Sequence, residues 1–159
     1  MPAKMITFHV PANPELLAAF GEVALRHEHM NHILKMTIKS IAGITPSEAL
    51  AATMYESSRQ LRDRIRKLGD GTPVLKLQAI LNNCKRLTER RNELVHGLWA
   101  QELDGEAHVR DAYGSIQPLP SVEELKMLAN EIEQVTGHLN HERLEGFLKL
   151  ALADGEARK

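Results

Sequence analysis

One cysteine, Cys84, stands in the whole chain. No disulfide can form within it, which fits a reducing cytoplasm. Aromatic residues are also few: three Phe, two Tyr and one Trp. A core built without them is aliphatic, which favours helices packed through Leu, Ile, Met and Ala over sheets built from aromatic and β-branched residues. No apolar run approaches the ~18 residues that cross a bilayer, and the opening MPAKMITFHVPANPE lacks the apolar segment of a signal peptide. The expectation is a cytoplasmic protein with no membrane partner. Internal repeats and low-complexity tracts are absent, as is any motif for a cofactor. Histidines are plentiful but poorly spaced for a metal. Of His27, His29 and His32 only the last two sit three apart, and His138 and His141 form another such pair. Two ligands do not make a site, so no metal is expected, and His27 reads better as a hydrogen-bonded core histidine.

What is present suits a single domain. The chain has 159 residues, 43% of them hydrophobic and 26% charged, enough for one core; the whole of 1–159 reads as one unit, ordered over about 13–153. The net charge of −1 hides an asymmetry: Arg59 to Arg91 carries +7 and the remainder −8. A basic block in a neutral protein is either a phosphate-binding face or a solvated surface balanced by acidic neighbours.

Four long helices announce themselves by start signals. Asn13-Pro14-Glu15 offers a cap, a proline at the first helical position and an acid, followed by the stripe Leu16, Phe20, Val23, Met30, Leu34, Ile38 and Ile41. Thr45-Pro46-Ser47-Glu48 opens a second helix whose stripe ends near Leu68, before Gly69-Asp70-Gly71. Thr72-Pro73 opens the third. Ser121-Val122-Glu123-Glu124 is a capping box for the fourth, expected to run to about Ala153. Between the last two, Asp104-Gly105 flanked by Leu98–Leu103 and Ala107–Val109 signals a short β-hairpin or an ordered loop. Short turns between the first three helices imply antiparallel neighbours. The expected fold is all-α, an antiparallel bundle of four to five helices with that hairpin or loop inserted before the last long helix. The first dozen residues and the tail from Asp154 read as loose.

The third helix carries an anomaly. Its stripe is Leu77, Ile80, Cys84, Leu87, Arg91, Leu94 and Leu98, apolar except for Arg91. A guanidinium on an inward stripe is costly unless something anionic or polar meets it. It has three ways out: reach the edge, pair with a carboxylate, or grip a phosphate with its planar fork. Asn92 and His96, four apart, share an adjacent helix face, and Gly97 ends the helix beside His96. Arginine for phosphate, histidine for proton transfer and an amide for orientation make a workable set for cleaving a phosphodiester without metal. A buried arginine pair with a capping histidine would leave the same trace.

The run Glu89-Arg90-Arg91-Asn92-Glu93-Leu94-Val95-His96 resembles the signature of the HEPN superfamily, an arginine often followed by a polar residue, then a histidine after four to six intervening residues; here four separate Arg91 from His96. The resemblance extends to layout, a helical bundle with the motif late in one helix, over roughly residues 13–153. It implies a bacterial-type endoribonuclease, often a toxin or antiphage effector, that dimerises so that two motifs face one cleft. Arg91 would steady the phosphate and His96 move the proton of the 2′-hydroxyl or leaving oxygen, with Asn92 in the polar slot of the motif. The products would be a 2′,3′-cyclic phosphate and a 5′-hydroxyl. Some relatives have lost catalysis and serve as scaffolds that bind a protein partner or nucleotide, which is the alternative here. HEPN toxins held by a nucleotidyltransferase antitoxin resemble each other in a tyrosine two residues past the histidine. Leu98 stands there, which weighs against modification-controlled pairing with such an antitoxin, although an antitoxin or other partner remains implied. Arg62, Arg66, Arg86 and Arg90 are candidates for RNA contact, or else a solvated face. Trp99 could stack on a base or plug the hairpin against the bundle. Cys84 reads as a small buried apolar residue.

Overall fold

The computed structural model describes residues 6–8, 13–42, 72–96, 98–102, 107–110, 116–146 and 149, with side chains over 13–37, 75–95, 118–146 and 149. Three helices dominate: α1 (Pro14–Ala42), α2 (Thr72–His96) and α3 (Val122–Leu144). They are packed together around one aliphatic core, as an all-α architecture requires. The second expected helix, the turn at Asp104-Gly105 and the tail lie outside the described residues.

The helices start where local chemistry says they should. Asn13 caps α1: its Oδ1 accepts from the backbone N–H of Glu15 at 3.1 Å and of Leu16 at 3.3 Å, satisfying donors that a first turn leaves orphaned. Ser121 and Glu124 close a reciprocal box on α3, with Ser121 Oγ accepting from Glu124 N at 3.0 Å and Glu124 Oε2 accepting from Ser121 N at 2.7 Å.

The core follows the stripes. Val23, Met30 and Leu34 from α1, Leu77, Ile80, Leu81, Cys84, Leu87 and Leu94 from α2, and Leu125, Ile132 and Leu139 from α3 are all buried in one cluster. The contact of α1 with α3 is the most extensive between helices. Arg86 of α2 meets Glu131 of α3, while the groove between these helices runs on to Leu94 and Pro120. Position along α2 therefore increases as position along α3 falls, and the two run in opposite directions.

Two segments differ from expectation. The fourth long helix stops at Leu144 rather than near Ala153, and the N–H groups of Glu145 and Gly146 both turn back to His141 O at 2.8 and 3.2 Å. A Cβ at Gly146 would stand 2.8 Å from the Glu142 Cα, so the turn that ends α3 needs glycine. The first dozen residues are not all loose: β1 (Ile6–Phe8) pairs antiparallel with β2 (Leu98–Glu102). Ile, Thr and Phe are strand formers, and a neighbouring ladder gives their backbone groups partners. β3 (Ala107–Arg110) and β4 (Ile116–Pro118) complete a sheet in the order β1-β2-β3-β4, with Pro118 on an edge strand, where a sheet tolerates proline.

Candidate functional site

Helix α2 sets out its stripe as the spacing requires. Leu77, Ile80, Cys84, Leu87 and Leu94 are buried, and Arg91, partly buried, sits in line with them. Among the described residues no carboxylate pairs with it. Its Nη1 donates to Asn92 Oδ1 at 3.0 Å, and its Nε is buried without a partner. Of the three ways to relieve a guanidinium on an inward stripe, a carboxylate partner is thus not the one seen among the described residues. Asn92 is partly buried beside it. His96 is the last residue of α2, four positions from Asn92 on the same helix face; its side chain lies outside the described residues.

A second helix reaches this site. His27 of α1, only 4% exposed, has its Nε2 at 3.1 Å from Thr88 Oγ1, one helical turn before Arg91. The Thr88 hydroxyl donates to the Cys84 carbonyl at 2.7 Å. Its single proton being used there, Oγ1 accepts from His27 Nε2–H. Burial pushes the His27 imidazole below its ordinary value, the Arg91 charge pushes it further down, and Glu28 opposes both. That bond to Thr88 and the lowered value favour the neutral Nε2–H tautomer, which leaves a lone pair at Nδ1, an atom buried without a hydrogen-bond partner among the described residues and 4.0 Å from Glu28 Oε1. Sequence spacing marks His27 as a core histidine but gives no sign of Thr88, its partner; the available clue is that Thr88 lies one turn before Arg91 and one turn after Cys84.

The other face of α2 differs. Arg86 Nη2 holds Glu131 Oε2 at 2.7 Å and Arg90 Nη1 holds Glu93 Oε2 at 3.1 Å. Both arginines line a groove of about 450 Å³ between α2 and α3, together with Glu89, Glu93, Glu124 and Glu131 over an apolar floor that includes Leu94 and Leu125. Four carboxylates against two guanidinia leave this groove acidic. It does not include Arg91 or Asn92, so Arg86 and Arg90 are set apart from the proposed trio.

Trp99 lies on β2 opposite Val109 of β3, with its side chain outside the described residues, as are Arg62 and Arg66. Cys84 is buried, and burial pushes its thiol up to about 12, which removes it as a nucleophile near neutral pH. Among the described residues no group of three or more His, Cys, Asp or Glu side chains could hold a metal ion, and no helix is long and apolar enough to cross a membrane. No protein-family model, curated protein or solved structure matches the chain.

Proposed function

We propose that the chain is a metal-independent endoribonuclease of HEPN type. Residues 45–68 would complete a bundle of four to five helices, and β2 and β3 would form the hairpin around Asp104-Gly105. In this reading RNA is the substrate, the 2′-oxygen attacks the adjacent phosphorus and the bond to the 5′-oxygen breaks. Arg91 grips the phosphate, Asn92 orients the guanidinium and His96 moves the proton. The observation that carries the reading is Arg91 itself: a guanidinium on an inward stripe with no carboxylate partner among the described residues and a buried, unpaired Nε. A charge kept so costs stability, and an anionic ligand is what would repay it.

A cytoplasmic homodimer with Arg91 and His96 near the twofold axis, acting as a toxin or antiphage effector, belongs to the same proposal, with an antitoxin or other protein as its regulator. Light scattering at micromolar concentration should give twice the chain mass; a clean monomer counts heavily against two motifs sharing one cleft. Cleavage of total RNA should survive EDTA and leave cyclic phosphate ends. Activity lost to EDTA and restored by magnesium overturns the mechanism.

One observation favours the second reading, a catalytically silent scaffold. The groove flanking the motif is acidic, and Arg86 and Arg90 spend their charge on Glu131 and Glu93, which does little to attract a polyanion. If purified protein cuts none of a varied set of RNAs, the scaffold reading moves ahead.

A further inference from the structure

Helix α1 brings to α2 an unused hydrogen-bond acceptor beside an unused donor. Thr88 carries the His27 contact and Arg91 stands three residues further along α2, so their Cβ atoms are neighbours at roughly 5–6 Å on one helix face. Among the described residues, His27 Nδ1 has a lone pair and no hydrogen-bond partner, Glu28 Oε1 standing 4.0 Å away, and Arg91 Nε has a proton and no hydrogen-bond partner; both atoms are buried. Asn31, one turn along α1 from His27, adds a third such atom, its buried acceptor Oδ1. Four residues apart, Asn31 and His27 share one face of α1. Two acceptors and one donor match what one water can offer, two hydrogens and a lone pair, and about three hydrogen bonds are typical of a buried water.

We propose that His27 is a positioning residue for Arg91: Arg91 Nε–H donates to a shared water, that water donates to His27 Nδ1 and to Asn31 Oδ1, and the guanidinium plane is thereby fixed for a phosphate. The inference rests on the reading of Arg91 as a phosphate grip. With Nε held from α1 and Nη1 held by Asn92, the edge carrying Nη2 is turned to the ligand. His27 never touches the substrate; it acts through Arg91, and Thr88 dictates which of its nitrogens is left to do so.

The test uses two substitutions that each keep half of the imidazole. His27→Gln keeps a donor toward Thr88 and removes the acceptor at Nδ1; His27→Asn keeps a polar atom near Nδ1 and gives up Thr88. The readout is solvent exchange of the Arg91 Nε–H proton by nitrogen-15 NMR, its signal assigned by its disappearance in Arg91→Lys. Wild type should show a slowly exchanging signal. His27→Gln should speed exchange by about tenfold or more, the effect of losing one buried hydrogen bond, and His27→Asn should leave it near wild type; thermal melts confirm that both variants fold. Wild-type exchange in His27→Gln, or equal acceleration in both variants, overturns the proposal, the second outcome marking His27 as packing alone. The exchange measurement needs no RNA, so a protein that cuts nothing would refute the enzyme and leave this result to stand or fall by itself.

Discussion

Arg90 and Arg91 are adjacent in sequence, yet they occupy opposite kinds of surroundings. Arg90, its side chain 42% exposed, holds Glu93 on the flank of an acidic groove. Arg91, about 100° further round the helix, lies in line with the core leucines, holds Asn92 as its one partner among the described residues and leaves its Nε buried without a hydrogen bond there. The first is an ordinary surface ion pair, worth ~0–1 kcal/mol. The second carries a desolvation cost with no carboxylate among the described residues to offset it. Charge density along the sequence therefore says little about where a phosphate would bind; orientation around the helix decides it.

The largest effect that should separate these two arginines is on RNA cleavage. Arg91→Ala and His96→Ala should each reduce it by ~10²–10⁴-fold, the usual loss for a group that stabilises charge or moves a proton in the transition state, while Arg90→Ala stays close to wild type in the same assay. Equal losses at Arg90 and Arg91 would erase the distinction.

Stability should separate them next, and with the opposite sign to activity. Arg91→Met replaces a guanidinium that no carboxylate among the described residues offsets by an apolar chain of similar length and should raise stability by about 1–4 kcal/mol in denaturant titration. Arg90→Met should fall within ~0.5 kcal/mol of wild type. A destabilised Arg91→Met would mean that Arg91 has a partner the inward stripe depends on.

The smallest effect is a pH dependence. Folding lowers the His27 value from 6.5, so the unfolded chain binds more protons than the folded one. The resulting stability is complete above 6.5 and declines as pH falls from there through the lowered folded value. The melting temperature should fall across that window more steeply in wild type than in His27→Gln. Arg91→Met should reduce the slope only in part, since burial outweighs Arg91 as the cause of the shift. Identical slopes in wild type and His27→Gln would remove His27 from the contrast.

Local signals were the legible ones. Asn13 and Ser121 announce their helices because capping joins residues two or three apart, and Arg91 is visible as the polar break in a 3-4 stripe because that stripe belongs to one helix. His27 and Thr88 are 61 positions apart, and nothing in a periodicity specifies how two helices are set against each other. The far end of α3 misleads for a related reason: Phe147 and Leu150 continue the apolar rhythm, and only Gly146 carries the stop. The three residues of β1 are too few to show alternation and become a strand through β2, nearly a hundred residues later in the chain. His96 itself can be placed at the end of α2 from Gly97.

That placement has a mechanical consequence. α2 ends at His96 and β2 begins at Leu98, so a single residue couples a rigid rod to a ribbon. One intervening residue limits how far the ribbon's first Cα can lie from the rod's last, about 7 Å at full stretch, which tethers the sheet to the turn that carries Asn92 and His96.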